Sequence, residues 1–185
     1  MRIGWLVTLV LVIAATMPPI TVGQAQQTQE RQSENCSLPD GWDPAEDLPR
    51  ILAEHQRWTE QRAANSWSKE WARNFPQGQA NLCKANLIGA NLTKAQLGWA
   101  NLTEAWLDGT NLTKAQLGWA NLTKARLDGA NLTEAWLGRA NLTEAWLDGT
   151  NLTKARLDGA NLTKARLDGA NLTGTWLDGA NLTVR

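Results

Sequence analysis

The sequence has little of several residue types on which ordinary cores and active sites depend. Its 185 residues include one Phe, no Tyr, one His and two Cys. Beyond residue 51, Ile and Val occur once each, as Ile88 and Val184, which excludes a conventional sheet with a Val- and Ile-rich core. The residues offer no nucleophile–base pair and no cluster of metal ligands, so the sequence predicts no enzyme, no metal site and no cofactor.

An excess of charge of either sign is also lacking. The 18 Lys and Arg residues balance the 18 Asp and Glu residues. This balance argues against nucleic acid as a partner, because nucleic-acid binding depends on a basic face. What is unusual instead is the number of Trp residues, which reaches 11, so the composition is not that of an ordinary core.

The segment 1–25 has the pattern of a secretory signal peptide. Met1-Arg2 gives a positive start, residues 3–15 are almost wholly apolar, and small residues at 23 and 25 precede a cleavage site. The alternative is a membrane-anchoring helix, but an apolar run of this length spans only about 20 Å, short of a ~30 Å bilayer core. The sequence therefore predicts cleavage after Ala25, an exported protein in the periplasm or outside the cell, and no membrane span after cleavage.

Residues 26–42 are predicted to form a flexible linker, because the segment 26–35 is almost entirely polar. Residues 43–79 are predicted to form a helical N-terminal segment. Asp43-Pro44 is typical of a helix start, and Asp47-Leu48-Pro49 is an equally good one. A second short helix is predicted at 66–75.

The first predicted helix carries one apolar stripe. Its members recur with a period near 3.6 residues and are Leu48, Ile51, Leu52, His55, Trp58 and Thr59. Because His55 lies on this stripe and the sequence offers it no second metal ligand, we interpret it as a packing or capping residue.

From Ala80 onward the chain repeats in units of five. Leu occupies position 82 and every fifth position to Leu182, which gives 21 uninterrupted pentads across positions 80–184. Two positions before each Leu stands Ala, or Thr at 110, 150 and 175. A period of five fits neither an α-helix nor a plain strand, and it indicates a chain that turns a corner in every pentad with Leu and Ala inside.

These pentads resemble the pentapeptide-repeat family, whose consensus is A-(D/N)-L-x-x. The segment Ala90-Asn91-Leu92-Thr93-Lys94 matches it directly, and His55 and Trp58 match the His-x-x-Trp helix that often leads into such repeats. The resemblance implies an all-β solenoid, a right-handed quadrilateral parallel β-helix with four pentads per coil. It implies about five coils over residues 80–185, preceded by a short α-helical N-terminal cap.

The charges independently favour four pentads per coil. One column at this spacing reads Lys84, Glu104, Lys124, Glu144 and Lys164. In this column and its counterpart, six of seven charged neighbours have opposite signs, against four of eight at a spacing of two pentads. Residues of opposite sign that stack on one another stabilise the register.

The position before Leu carries two further columns, in which Trp alternates with Arg. One column is Trp106, Arg126, Trp146 and Arg166, and the other is Trp136, Arg156 and Trp176. Because each of these residues precedes an inward Leu, their side chains are predicted to point outward. They form the candidate binding face.

Cys36 and Cys83 form a candidate disulfide. Cys83 takes an outward position in the first coil, and Cys36 lies just upstream of the helical segment. Export to an oxidising compartment favours the bond, which would hold the helical segment over the open first coil.

Three functions remain open, of which the favoured one is a non-catalytic exported scaffold, a protein-binding or structural module. Its partner would be an unknown protein or a component of the cell envelope, with a homodimer through a coil end as a further option. The resemblance adds a topoisomerase-binding DNA mimic, which requires an acidic rod, whereas residues 80–185 carry 11 basic and 9 acidic side chains. The third is a flat-lattice binder of ice or polysaccharide, suggested by the column Thr103, Thr123, Thr143, Thr163 and Thr183.

The triplet Asn-Leu-Thr, a glycosylation-type motif, occurs ten times. Glycans on coils stacked about 5 Å apart would clash. The motif therefore indicates a host without that pathway, which favours a bacterial protein.

Overall fold

One helix and a long stack of five-residue turns account for the residues that the computed structural model describes. These are Cys36, Leu38 and residues 41–64 and 80–183. The predicted signal peptide, most of the predicted linker and the predicted helix at 66–75 lie outside the described residues.

Helix α1 runs from Pro44–Ala64, a length of 21 residues. The Oδ1 atom of Asp43 accepts a hydrogen bond from the N–H of Ala45 at 2.8 Å, and Oδ2 of Asp47 accepts one from the N–H of Asp43 at 3.1 Å. These bonds satisfy donors that the first turn of a helix leaves without partners. Of the two predicted starts, the helix therefore uses the one at Pro44.

The apolar stripe of α1 faces the repeats. Leu48, Ile51 and Leu52 pack against the core of the repeats, and Trp58 is buried. His55 is fully buried, and its Nδ1 atom accepts a hydrogen bond from the N–H of Ala80 at 3.0 Å. His55 thus packs and also satisfies the first backbone donor of the repeats, which agrees with its interpretation from the sequence.

The end of the predicted linker is packed. Leu38 and Trp42 lie against the same core as α1, and one compact unit of the chain begins at Cys36. Both side chains are apolar and gain by leaving water. The packed part of the chain therefore starts before residue 43, earlier than the composition of residues 26–42 indicates.

Cys36 and Cys83 are joined by a disulfide bond, with their Cα atoms 5.4 Å apart. Cys83 is fully buried, although the pattern predicts an outward position, and Thr103 in the same column is also buried. The cause is local, since Cys36 is bonded to Cys83 and its Sγ lies 4.0 Å from the carbonyl oxygen of Thr103.

Each pentad closes a tight turn. The carbonyl oxygen of Leu82 accepts a hydrogen bond from the N–H of Ala85 at 3.1 Å, and the same bond recurs pentad after pentad. The third residue of each turn has a positive φ, for example 56° at Lys84 and 66° at Gly89, and 12 such residues are not glycine. Because this conformation costs about 1–2 kcal/mol for a residue with a Cβ atom, contacts between turns must offset the cost.

Those contacts come from parallel pairing of each pentad with the fourth pentad after it. Asn81 bridges to Asn101, and every bridge in the described part of the chain has this same spacing. The N–H of Leu82 donates to the oxygen of Asn101 at 2.8 Å, and the N–H of Asn101 donates to the oxygen of Ala80 at 2.9 Å. The spacing predicted from the charge columns is confirmed. Each stretch of four pentads is termed a pass below.

Leu and Ala side chains of successive passes form one continuous core. Every Leu of the repeat from Leu82 to Leu162 is at most 2 % exposed. Thr110 and Thr150, which replace Ala, are fully buried and donate their hydroxyl groups to the oxygens of Leu87 and Leu127 at 2.8 and 2.9 Å. Each buried Leu contributes roughly 1.5–3 kcal/mol before conformational entropy is subtracted, so the core is shared by passes that could not fold singly.

The left-handed turn position predicts a measurable difference between two glycines. At Gly109 φ is +62° and an added Cβ atom would meet nothing within 4 Å, whereas Gly98 has no positive φ and its Cβ atom would make an ordinary 3.5 Å contact. We expect Gly109→Ala to lower the free energy of unfolding by about 1 kcal/mol through backbone strain alone. Gly98→Ala is the matched control and should change it by less than about 0.5 kcal/mol. Equal effects in urea unfolding would contradict this account.

The disulfide predicts a redox-dependent stability. Cys36 and Cys83 are 47 residues apart, so the bond should contribute about 3–4 kcal/mol in the chain-entropy model. Adding a reductant should therefore lower the Tm, while the Tm of the double variant Cys36→Ser and Cys83→Ser should not respond to reductant. Alkylation of the unreduced protein followed by mass spectrometry checks the bond directly, and two labelled thiols would disprove it.

Candidate binding groove

A groove of about 550 Å³ runs along one side of the repeats. Two neighbouring columns line it, one of Lys and Glu and one of Trp and Arg. The lining residues are Lys84, Glu104, Trp106, Lys124, Arg126, Glu144, Trp146, Lys164 and Arg166. This surface is termed the tryptophan–arginine groove. It contains the first of the two columns that the sequence predicts as a binding face.

Trp and Arg alternate along the groove as a continuous stack. The Cζ atom of Arg126 lies 5.7 Å from the ring centroid of Trp106 and 5.6 Å from that of Trp146. Arg166 continues the stack, with its Cζ atom 4.9 Å from the Trp146 centroid. Each cation–π contact of this kind contributes roughly 0.5–1 kcal/mol at an exposed site. Trp146 thus contacts two guanidinium groups and Trp106 one, while the two residues remain 42 % and 46 % exposed.

A column of aspartates holds the guanidinium groups from the other side. The Nη2 atom of Arg126 lies 3.2 Å from Oδ1 of Asp108, and Arg166 pairs with Asp148. The sequence reasoning missed these partners. Their signal was present, since Asp stands two positions after each Trp or Arg of this column, but it reads equally well as ordinary turn chemistry.

Asp128 is the member of the aspartate column whose ionisation is disfavoured. Burial raises the pKa of Asp128, and the nearby carboxylates of Asp108 and Asp148 raise it further, against the opposing effects of Arg126 and of a backbone hydrogen bond. That bond runs from the N–H of Asp148 to Oδ1 of Asp128 at 3.1 Å. Like charges stacked on one another are the physical cause of part of this shift.

The cations that line the groove outnumber its carboxylates. The lining has five cations and two glutamates, and the two arginines among the cations pair with Asp108 and Asp148. The three lysines therefore exceed the two glutamates by one positive charge. The Nζ atoms of Lys84 and Lys164 lie 3.8 and 3.9 Å from glutamate oxygens. Lys124, between them, makes no ion pair within the described part of the chain.

The second predicted column lies outside the groove. Arg156 stacks on Trp176 with its Cζ atom 5.4 Å from the ring centroid, and its Nε atom lies 3.2 Å from Oδ2 of Asp158. Although Trp136 bridges to Arg156 through the backbone, its ring departs from the expected stack. That ring instead packs edge-on against Trp119, with the two ring centroids 5.3 Å apart.

Two glycines explain the position of Trp136. A Cβ atom added to Gly118 or Gly138 would come within 2.5 or 2.6 Å of the indole. The ring therefore packs on the backbone of two positions where any residue other than glycine would clash with it. Trp119 in turn stacks on Trp99 with a centroid distance of 4.9 Å and an interplanar angle of 7°. Periodicity could not reveal this packing, because it depends on three columns at once.

A row of aromatic rings connects the repeats to α1. Trp99 packs edge-on against Trp58 at 6.3 Å, and Trp58 stacks with His55 at 5.4 Å. Arg139 lies over the ring of Trp119, with its Cζ atom 5.8 Å from the ring centroid. Trp99 and Trp119 are therefore half-buried structural residues.

The threonine column differs from a flat lattice-binding surface. The hydroxyl group of Thr123 donates to Oδ1 of Asn121 at 2.7 Å, and Thr143 donates to Asn141 at 2.6 Å. Between passes, Nδ2 of Asn161 donates to the hydroxyl oxygen of Thr143 at 3.1 Å. These hydroxyl groups therefore serve the turns and the stacking of passes.

Within residues 36–64 and 80–183, so far as these are described, no set of His, Cys, Asp and Glu side chains is arranged to hold a metal ion. The helix in this part of the chain does not combine the length and apolar character that crossing a membrane requires.

The raised pKa of Asp128 predicts how stability depends on pH. Because the folded pKa lies above the ordinary 3.8, the folded state binds this proton more tightly, and the stabilisation is lost as the pH rises through the folded value. We expect Asp128→Asn to raise the Tm at pH 7 and to have little effect at pH 3. Asp168→Asn removes the same charge at the exposed end of the column and is the control. A fall in Tm at pH 7 for Asp128→Asn alone would contradict the prediction.

Comparison with known proteins places these repeats in a family. The family model described as pentapeptide repeats matches residues 78–109, 100–138, 125–163, 137–174 and 147–183. Together these segments span more than half of the 185 residues. No curated protein matches the chain.

Solved structures of similar proteins include a pentapeptide repeat protein from the cyanobacterium Cyanothece, at 39 % identity over 51 % of this chain and 63 % of the other, with a TM-score of 0.41. A pentapeptide repeat protein from the Arabidopsis thaliana thylakoid lumen matches at 31 % identity over 49 % and 59 %, with a TM-score of 0.36. QnrB1, a plasmid-mediated fluoroquinolone resistance protein, matches at 17 % identity over 52 % and 60 %, with a TM-score of 0.27.

The present chain thus spans less than two thirds of each of these three proteins. The assignment rests on the family match, on the five-residue turns and on the pairing of successive passes. The chain belongs to the pentapeptide repeat proteins, and its repeats form a right-handed β-helix solenoid.

Proposed function

We propose that this protein is a non-catalytic exported scaffold that binds a protein partner through the tryptophan–arginine groove. The observation that carries the proposal is the stack of Trp106, Arg126 and Trp146, in which both indoles stay more than 40 % exposed. Trp and Arg are the residues most enriched at the energetic centres of protein interfaces. Exposed indoles in a row are unfavourable in water unless a partner covers them.

The groove is also pre-organised for binding. Arg126 is held between two indoles and is bonded to Asp108 at 3.2 Å. Side chains that are already ordered lose less conformational entropy when a partner binds. The lining therefore presents fixed aromatic and cationic groups on a backbone whose passes are hydrogen-bonded to one another.

The scaffold that we propose is a four-sided coil of four pentads, with about five coils over residues 80–185 and α1 as its N-terminal cap. The pairing of each pentad with the fourth one after it supports the coil. The contacts of Leu48, Ile51 and Leu52 with the core, and the bond from Ala80 to His55, support the cap. A cap at this end would protect backbone edges that otherwise invite aggregation.

Export to the periplasm or beyond, in a bacterial host, is the second part of the proposal. The signal-peptide pattern of residues 1–25 supports it. The Cys36–Cys83 disulfide supports it as well, because such bonds persist in oxidising compartments.

The two alternatives have less support. A topoisomerase-binding DNA mimic requires an acidic surface, whereas lysines outnumber glutamates on the lining of the groove and residues 80–185 carry 11 basic against 9 acidic side chains. A binder of ice or of a flat polysaccharide requires free hydroxyl groups, whereas Thr123 and Thr143 donate theirs to Asn side chains.

The test is crosslinked capture from the cell envelope of a bacterial host. The full chain is expressed with its own N-terminus, and export predicts a recovered protein that begins at Gln26. We expect the double variant Trp106→Gln and Trp146→Gln to lose the captured partner with only a small fall in Tm, because exposed cation–π contacts contribute only ~0.5–1 kcal/mol each.

Trp176→Gln is the matched control, since Trp176 is 56 % exposed and lies outside the groove. It should capture the partner as the parent does. Capture that survives the double variant, or that fails equally in the control, would show that the groove is not the binding site.

A further inference from the structure

We propose that the occupant of the tryptophan–arginine groove is an acidic segment in the polyproline II conformation, lying parallel to the direction in which the passes stack. This inference rests on the proposed function and specifies the chemistry of the partner. Three observations carry it: the repeat distance of the groove, the indole N–H groups that make no hydrogen bond among the described residues, and the charge of the lining.

The groove repeats every two passes. Trp106 and Trp146 lie two passes apart, as do Lys84 and Lys124, and each pass pairs with the next. With passes about 4.8 Å apart, equivalent groups recur every ~9.6 Å. A polyproline II helix has three residues per turn and rises ~3.1 Å per residue, so its equivalent groups recur every ~9.3 Å. The side chains on one face of a β-strand recur every ~6.8 Å, which does not match the ~9.6 Å repeat of the groove.

The indoles offer hydrogen-bond donors. Two guanidinium groups lie over Trp146 and one lies over Trp106, and the indole N–H groups of Trp106 and Trp146 make no hydrogen bond within the described part of the chain. A polyproline II segment makes no internal hydrogen bonds, so its carbonyl oxygens are available as acceptors. Two indole donors two passes apart match carbonyl groups one helical turn apart, and aromatic-lined grooves are a recurring way to recognise this conformation.

The charge of the lining selects an acidic occupant. With Asp108 and Asp148 paired to the two arginines, the three lysines of the lining exceed its two glutamates by one positive charge. Lys124 at the centre makes no ion pair among the described residues. Lys84 and Lys164 hold only exposed ion pairs at 3.8 and 3.9 Å, which a ligand carboxylate replaces at little cost. An acidic side chain at every third position would reach the three lysines in turn.

The first experiment compares three synthetic peptides by calorimetry on the full-length mature protein. The probe is acetyl-(Glu-Pro-Pro)3-amide, and its controls are (Glu-Gly-Gly)3, which keeps the charge without the conformation, and (Lys-Pro-Pro)3, which keeps the conformation with the opposite charge. We expect the probe to bind, the glycine peptide to bind at least about tenfold more weakly because it must be ordered, and the lysine peptide not to bind. Binding of the probe should weaken as salt screens the charges.

The second experiment locates the site with conservative variants. The double change Trp106→Phe and Trp146→Phe keeps two aromatic rings and removes both N–H donors, and it should weaken the probe. Lys124→Gln should weaken it about two- to fivefold, the factor of one exposed ion pair. Lys154→Gln, an exposed lysine outside the groove, is the control and should leave binding unchanged.

Several results would overturn the inference. Equal affinity for the proline and glycine peptides would show that the groove does not select the polyproline II conformation. Equal affinity for (Lys-Pro-Pro)3 would show that it does not select an acidic ligand. Tighter binding of polygalacturonate than of any peptide, abolished by Lys124→Gln, would assign the groove to an anionic polysaccharide. If no peptide binds while partner capture still depends on Trp106 and Trp146, this inference fails and the proposed function stands. Capture that is independent of these indoles removes the proposed function itself.

Discussion

Backbone hydrogen bonds between each pass and the next are the interaction on which the rest of this molecule depends. A single pass would be unstable alone. The turns hold 12 residues with a Cβ atom at positive φ along the repeats, and the apolar side chains of an isolated pass would be exposed to water. When passes stack, bonds such as Leu82 N–H to Asn101 O at 2.8 Å bring every Leu onto another Leu. Each pass that stacks therefore buries more of the core, and this gain offsets the backbone strain of its turns.

The same stacking converts sequence spacing into surface chemistry. Because equivalent positions of successive passes lie beside each other, any alternation at that spacing becomes a column of touching side chains. The column of Trp106, Arg126 and Trp146 is one result, and the paired Lys84 and Glu104 are another. These columns need no loop, since their side chains stand on passes that are hydrogen-bonded to one another.

Sequence periodicity predicted the features that repeat within one column, but it missed the contacts between side chains of different columns. The five-residue period, the four-pentad spacing and the alternation of Trp with Arg could be read from the sequence because each follows one column. The burial of Cys83 depends on Cys36, which is bonded to it and lies next to Thr103. The ring of Trp136 lies on Gly118 and meets Trp119, a contact that involves neighbouring columns and side-chain conformation. Likewise the pairing of Arg126 with Asp108 joins two columns that each have an independent explanation.

Because the groove repeats every two passes, the affinity for a ligand of the proposed kind would depend on the number of two-pass units. Each further unit of two passes with the same alternation would add one indole donor and one lysine at the same ~9.6 Å interval, without altering any existing contact. Affinity for a long regular ligand would then rise in steps with the number of units, as for multivalent binders on a rigid support. Tandem duplication of the sequence would thereby adjust the strength of binding, while the chemistry of recognition would stay the same.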